Sequence, residues 1–503
     1  MTKPEYVIGI DCSTTASKAV VWDRNGKAIA IGRRAYDLQH VRSGWVEQNA
    51  PDWWQATRGA IADAVAAVGG EKIAGIAITH QRETFVCLDD KDQPIRPAIT
   101  WMDVRATKQV QDYGTAEVHR ITGKPVNPTP AWYKLLWLKQ HEPETIARTA
   151  KIVDVGGYLL HKLTGKFVTS WASADPLGLV DLSRFQYDEG ILQQAGLSLA
   201  QVPELLAPGA IAGGLLADVA QGLGLAAGLP IIAGAGDGQS AGLGCNVTKP
   251  GRAYLNLGTG AVSGVYAQDY HHAQAYRTMG GPIPNTYIYE TFIGGGTQNV
   301  VWFVENFAQA ERAEAKDQTV EEILEAKARQ IPPGAERLLC LPYWTGAMTP
   351  YWDGNARGAF VGLSGLHGRA HMYRAILEGI AFEQRLLTEG VEQATGVPIT
   401  EILMLGGGSR SALWCQIMAD VLGREVKLVR EQESTALGAG IHAAKAMGFY
   451  ESLELAAEAM TGIEKQFSPD LAAHETYTKI FAAYCNLYPG LQKSFQKIAE
   501  VHL

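Results

Sequence analysis

Short apolar, β-prone runs that end in Gly, Ser, Thr or Asp alternate along the chain with longer stretches of helical spacing. The runs are Tyr6–Ile10, Ile73–Ile78, Leu229–Ala233, Tyr254–Leu257 and Ile402–Leu405. Each predicts a buried strand that delivers polar residues at its C-terminal end. Trp53 to Val68 is Ala-rich and amphipathic, opened by Asn49-Ala50-Pro51-Asp52, a cap with proline near the first turn. Between Arg369 and Val391, residues Tyr373, Ile376, Leu377, Ile380 and Leu387 predict one face of a long helix. A further helical pattern covers Leu413 to Leu422. Strands alternating with helices imply α/β architecture.

The polar link Asn246-Val247-Thr248-Lys249-Pro250-Gly251 divides the chain into nearly equal halves, 1–246 and 247–503. Each half opens on a strand, a small-residue turn and a second β-prone stretch, around Asp11–Thr15 and around Leu257–Ala261. Matching hairpins predict duplicated domains facing one another. A length of 503 residues is consistent with that, since domains run to about 100–200 residues.

Composition narrows the function. With 44 basic and 52 acidic side chains the net charge is −8, and no basic stripe offers the clustered cations that nucleic-acid binding needs. The stretch Leu223 to Gly236 is too short and too broken by glycine and Pro230 to cross a bilayer, so no membrane role is expected. The start has no apolar core behind a basic end. Six widely spaced cysteines without a C-x-x-C pair predict free thiols, hence a reducing, cytoplasmic setting, and no structural metal.

The 55 glycines bunch at 234–244, 258–264, 294–296 and 406–408, which is where candidate chemistry lies. Asp11-Cys12-Ser13-Thr14-Thr15-Ala16-Ser17-Lys18 follows a strand with a carboxylate, hydroxyls and a cation, groups suited to phosphate and Mg²⁺ and equally to an ordinary hairpin turn. Leu257-Gly258-Thr259-Gly260 is a second such turn. Gly406-Gly407-Gly408-Ser409 precedes a helix and suits an anion or a nucleoside. Asp237 ends an apolar strand among glycines, where it can take a proton from an alcohol or serve as a helix cap. Gly238-Gln239-Ser240-Ala241-Gly242 overlaps it and fits G-x-S-x-G, which leaves a serine hydrolase using Ser240 as a rival. Gln81-Arg82-Glu83 and Trp101-Met102-Asp103-Val104-Arg105 pair donors with acceptors, as a polyol site does and as surface loops do.

Taken in order, IGIDCSTTASKAVVWD, GWVEQNAPDWWQAT, ITHQRE, AGAGDGQSAGLG, LNLGTGAVSG, LGGGSRSALWCQIMAD and ESTALGAG resemble the FGGY carbohydrate kinases over essentially the whole chain. The resemblance implies two actin-like, ribonuclease-H-like domains around a central cleft: an N-terminal domain binding sugar and a C-terminal domain binding nucleotide. It implies ATP and Mg²⁺ as cofactors and a primary sugar hydroxyl as acceptor. Asp11, Ser13, Thr14, Thr15 and Lys18 become the first phosphate loop, with Asp11 supporting the metal. Gly258, Thr259 and Gly260 become the second loop, and Gly296, Gly407, Gly408 and Ser411 contact nucleotide. Asp237 becomes the base, and Gln81, Arg82, Glu83 and Asp103 join it at the sugar. Members are often dimers or tetramers, so a homodimer is among the assemblies implied.

The motifs mix substrate signatures. GWVEQNAPDWWQAT, TWMDVR and GGGSRSALWCQIMAD are similar to xylulose kinases, whereas Gln81-Arg82-Glu83 is similar to glycerol kinases. After the base, glycerol kinases place Gln, and this chain has Gly238 and then Gln239. A ketopentose of the xylulose type is the expected acceptor, with glycerol, erythritol or an autoinducer sugar as alternatives. An actin-like ATPase without a small acceptor is the remaining rival.

Overall fold

The computed structural model describes residues 4–501. The first half builds a six-stranded sheet from β1 (Tyr6–Cys12), β2 (Ala16–Trp22), β3 (Ala28–Ala35), β4 (Ile73–His80), β5 (Ile211–Gly214) and β6 (Pro230–Gly236). Their spatial order is β5-β6-β4-β1-β2-β3. The second half builds β7 (Arg252–Leu257), β8 (Ala261–Ala267), β9 (Arg277–Gly280), β10 (Tyr287–Ile293), β11 (Glu401–Leu405), β12 (Glu425–Val429) and β13 (Ile463–Phe467). These lie in the order β9-β10-β8-β7-β11-β12-β13.

Read from opposite ends and with β9 set aside, the two orders match in five strands; the far edge strand differs, since β5 precedes its neighbour β6 in sequence and β13 follows β12. In each, the first strand is central and pairs antiparallel with its hairpin neighbour on one side. On the other side it pairs parallel with a strand that arrives much later in sequence. An antiparallel strand closes the far edge of each sheet. The repeat anticipated from the paired hairpins therefore extends through five strands of each sheet.

All five strand runs form strands, each extended by one to three residues at one end, with Leu229 left outside its strand. The first long helix, Ala50–Val68, lays Trp53, Ala56, Ala60, Ile61, Ala64 and Val65 on β2 and β3. Its small alanines let Gly32 of β3 approach so closely that a Cβ there would lie 2.0 Å from the Ala60 carbonyl oxygen. Asn49 holds the cap position without a side-chain cap bond, so Pro51 in the first turn carries that helix start. The helix Arg369–Thr395 buries all five apolar residues of the sequence pattern.

Two helices sit between the sheets: Asp237–Gly244 and Ser434–Ala446. The second comes from the far end of the chain yet packs on β1 of the first sheet. The helices cross at small residues; a Cβ on Gly438 would lie 2.0 Å from the Ser240 carbonyl oxygen. Around the crossing, Val7, Trp22, Tyr254, Leu405 and Ile441 form a core that belongs to neither half alone. An apolar core shared this way ties the halves together over a common cleft.

A lobe that the sequence pattern did not reveal combines residues between β3 and the first long helix with residues between β4 and β5. It contains a five-stranded sheet whose strands, such as Trp45–Gln48, Ala98–Ile99 and Phe85–Leu88, have only two to four residues. Strands that short show no periodicity. Among the described residues no helix is long and apolar enough to cross a membrane, and all six cysteines are unpaired.

Candidate active site

The cleft is lined by the C-terminal ends of the central strands of both sheets, the position where open α/β sheets hold ligands. From the first sheet, β1 presents Asp11 opposite Lys18 on β2. The hairpin between them is closed by Ser13, whose backbone N–H and hydroxyl both donate to the Ala16 carbonyl at 2.9 Å. Thr14 is fixed on two sides: the Trp101 indole N–H donates to its hydroxyl at 3.0 Å, and Gln48 donates to its carbonyl at 2.5 Å. Thr15 is exposed beside them.

Asp11 Oδ1 is buried without a hydrogen-bond partner. Burial, with the Asp237 carboxylate nearby, pushes its carboxyl up to about 7. A carboxylate short of donors and facing another acid fits a hydrated divalent cation, and Mg²⁺ binds through few carboxylates and several waters.

Asp237 opens the helix that follows β6 and stands at the junction of two adjoining cavities. One, of about 150 Å³, is lined by Arg82, Glu83, Arg277 and Thr129 and by the apolar surfaces of Trp101, Val262, Phe292, Met348 and Trp352. The other, of about 130 Å³, is lined by Asp11, Ser13, Gly238, Tyr254, Asn256 and Thr435. Both contain Asp237, Arg82 and Val262. The Gly238 N–H donates to Asp237 Oδ1 at 2.7 Å, and Arg82 Nε lies 2.7 Å from the same oxygen. Both contacts fall on Oδ1, which leaves Oδ2 for a hydroxyl.

Arg82 also reaches across the cleft. Its Nη1 donates to Glu290 Oε2 on β10 at 2.7 Å. Glu290 is fully buried and takes a second guanidinium from Arg277, its cross-strand neighbour on β9, at 2.6 Å. Burial alone would raise the Glu290 carboxyl; the Arg277 and Arg82 charges reverse that and hold it at about 2. Arg277 in turn donates to Glu83 Oε1 at 2.8 Å. Glu83 has φ 56°, a left-handed backbone that only the packed surroundings maintain. None of Glu290, Arg277 or Tyr254 was singled out from the sequence. A lone carboxylate inside the apolar run Tyr287–Ile293 was the available signal, since such groups are rarely buried unpaired.

This ion-pair chain accounts for Gly238. A Cβ at that position would lie 2.6 Å from Glu290 Oε2 and 3.0 Å from Arg82 Nη2. The second domain's carboxylate thus takes up the space next to position 238. Gln239 points away instead, donating to the Ala172 carbonyl at 2.9 Å.

The second sheet supplies a glycine-lined floor. The turn Gly258–Gly260 is bonded to the start of the helix Thr297–Phe307: the Gly296 N–H donates to the Thr259 carbonyl and the Thr297 N–H to that of Gly258, both at 2.8 Å. Any side chain at Gly296 would lie 2.5 Å from the Gly258 carbonyl oxygen. Gly406, with φ 88°, packs on Leu257, and Gly407 faces open space. Gly408 is buried against Leu257, and Ser411 caps the next helix by accepting from the Trp414 N–H at 3.1 Å. Glycines from three distant segments thus meet at one place, with Thr259 exposed above them.

Four sequence expectations change. The Gln81 amide is buried, bonded to Gln48 at 2.8 Å and Thr84 at 3.2 Å, and braces the Thr14 loop instead of lining the cavity. The Asp103 carboxylate is fully buried, held by Arg105 at 2.7 Å and the Val46 N–H at 2.7 Å, and likewise lies outside the cavity. Lys18 is paired with Glu433 of the second half at 2.6 Å. Ser240 is fully buried in the interdomain helix, its hydroxyl 3.4 Å from the Ala235 carbonyl, so it cannot act as an exposed nucleophile.

Lys134 is another residue the sequence did not reveal. Its buried ammonium donates to the Thr100 and Thr129 carbonyls at 2.9 Å and to the Trp101 carbonyl at 3.4 Å. Burial pushes it down to about 8. It pins two walls of the cavity beside Asp237, those of Trp101 and Thr129, to one another.

Residues 6–244 match the N-terminal domain of the FGGY family of carbohydrate kinases, and residues 253–447 match its C-terminal domain. The chain is 31% identical to the xylulose kinase of Bacillus subtilis, over 98% of this chain and 100% of that protein. It is 27% identical to the gluconokinase of Bacillus licheniformis, over 98% of each. The structure of a xylulose kinase from Lactobacillus acidophilus superposes with a TM-score of 0.92 at 28% identity, covering 99% of this chain and 100% of that one. Both domains in order, set around a cleft that joins a phosphate-type loop to an acid at a sugar-sized cavity, make this chain a sugar kinase belonging to the FGGY family of carbohydrate kinases.

Proposed function

We propose that the acceptor is a ketopentose of the xylulose type, phosphorylated on a primary hydroxyl with ATP as donor, Mg²⁺ as the ion and Asp237 as the general base. The observation that carries the reading is the position of Asp237 in both cavities, between polar groups for a polyol on one side and Asp11 with Ser13 on the other. Relatives that are xylulose kinases support the choice of sugar.

In this reading Arg82 and the Gly238 N–H hold Asp237 Oδ1, so Oδ2 meets the acceptor hydroxyl and takes its proton as that oxygen attacks phosphorus. Backbone N–H groups of the Ser13–Thr15 and Gly258–Gly260 turns approach the phosphates from opposite domains. Asp11 would hold Mg²⁺, through water, and the ion would offset charge on the transferring group. The apolar surfaces of Trp101, Phe292 and Trp352 cover the carbon face of the sugar and keep out water, the competing acceptor. Bound sugar gives the reason for the domains to close, and closure completes the site.

ADP release measured with and without D-xylulose tests the proposal. Acceptor-dependent release with D-xylulose preferred over glycerol and erythritol is the expected result. Preference for either polyol, or ADP release indifferent to any acceptor, would overturn it.

A further inference from the structure

We infer that the acceptor site is built for an uncharged sugar or polyol and rejects a sugar carboxylate, because carboxylates of this chain already neutralise both guanidinium groups in the cavity. The inference rests on the kinase reading of Asp237 and separates two chemistries that occur among the relatives.

Five charged side chains run in one line across the cleft. Asp237 meets Arg82 at 2.7 Å, Arg82 meets Glu290 at 2.7 Å, Glu290 meets Arg277 at 2.6 Å, and Arg277 meets Glu83 at 2.8 Å. Three carboxylates thus share two guanidinium groups. The Tyr254 hydroxyl adds a further donor to Glu290 at 3.2 Å. All members except Asp237 are buried, so solvent screens their charges little. A carboxylate entering here would be a fourth anion beside two cations.

Among the described residues at the cavity, no other cation is free to receive it. Lys134 is fully buried with its ammonium on backbone carbonyls, and Lys124 is paired with Asp175 at 2.8 Å. The rest of the lining, including Trp101, Phe292, Met348 and Trp352, is suited to carbon faces and offers no compensation for a desolvated charge. An uncharged polyol meets the same chain differently. Its hydroxyls can donate to Glu83 and Asp237 and accept from Arg82 and Arg277 without disturbing the charge balance. Like charges brought together at such a site cost several kcal/mol, so discrimination of at least about 100-fold follows.

The test uses the purified full chain, ATP and two sets of acceptors, read by ADP release. D-xylulose, L-ribulose, erythritol and glycerol form the uncharged set; D-gluconate and D-xylonate form the anionic one. The best uncharged acceptor is expected to exceed the best aldonate by at least about 100-fold in kcat/KM. Glu83→Gln removes one negative charge while keeping shape, and should raise the ratio of aldonate to uncharged-acceptor kcat/KM by about tenfold or more. An aldonate as best acceptor of the unaltered chain would overturn the inference, as would a ratio that Glu83→Gln, shown folded by its thermal melt, does not move. If erythritol or glycerol displaces D-xylulose as best acceptor, the xylulose reading falls and this inference stands.

Discussion

Lys18 Nζ lies 2.6 Å from Glu433 Oε2, and the two residues come from opposite domains. Lys18 belongs to the hairpin that the motif assigns to ATP phosphates, yet its charge is spent on a carboxylate across the cleft. On the proposed reading, nucleotide competes with Glu433 for it. Both side chains are about one-third exposed, 28% and 35%, so the pair contributes less than about 1 kcal/mol to folding and can exchange readily. Glu433→Gln should lower KM for ATP a few-fold, and Lys18→Met should raise it, with thermal stability little changed in either. Initial-rate kinetics at varied ATP check this. If both variants shift KM in the same direction, Lys18 is not the contested group.

Gly238 is the position where a one-carbon change should be felt most. Gly238→Ala brings a Cβ within 2.6 Å of Glu290 Oε2, and that carboxylate cannot retreat without releasing Arg82 and Arg277 together. Breaking a buried pair is destabilising by about 3–5 kcal/mol in the limit. The variant should lose at least about tenfold in kcat with sugar and melt at a lower temperature. Wild-type kcat and melting in Gly238→Ala would mean that the chain of charges can shift sideways and does not hold Arg82 in place.

Glu383 makes stability depend on pH far from the cleft. It is buried in the helix Arg369–Thr395 and accepts from the Tyr484 hydroxyl at 2.7 Å and from Tyr343 at 3.0 Å. Burial pushes its carboxyl from 4.5 up to about 7, the two tyrosines opposing the shift only in part. Below 4.5 both folded and unfolded chains carry the proton. Between 4.5 and about 7 only the folded chain does, so stability falls as pH rises through that window, by on the order of 3 kcal/mol. Glu383→Gln should flatten this part of the melting profile and be the more stable chain at pH 8. A melting profile from pH 5 to 8 that is the same for both chains would remove Glu383 as the source.

The residues that were legible in the sequence are those whose role is local. Strands such as Ile402–Leu405 are runs of buried apolar side chains, and the helix around Tyr373–Leu387 repeats on its own period, so each could be read without knowing its neighbours. Asp237 could be read because it ends such a strand among glycines. Glu290 and Arg277 could not, because their meaning comes from Arg82, roughly two hundred positions earlier, and pairing at that range leaves no local pattern. Gln81 and Asp103 failed for the complementary reason. They have the composition of a polyol site, but Gln48 and Arg105 claim their polar atoms first.

Asp237→Asn bears most directly on the chemistry. The substitution keeps the side chain's shape, and Arg82 keeps its bond to Glu290, so the fold and the cavity should persist. What disappears is an oxygen able to take the hydroxyl's proton. Turnover should fall by about 10²–10⁴ while KM for ATP stays within a few-fold, since Asp237 bonds Gly238 and Arg82 and neither of the turns proposed to approach the phosphates. Single-turnover measurements with D-xylulose and ATP distinguish this from a loss of sugar binding. The signature of a missing base is a slow chemical step that saturating sugar does not restore. Turnover close to that of the unaltered chain would refute the role given to Asp237, and with it the route by which the acceptor is activated.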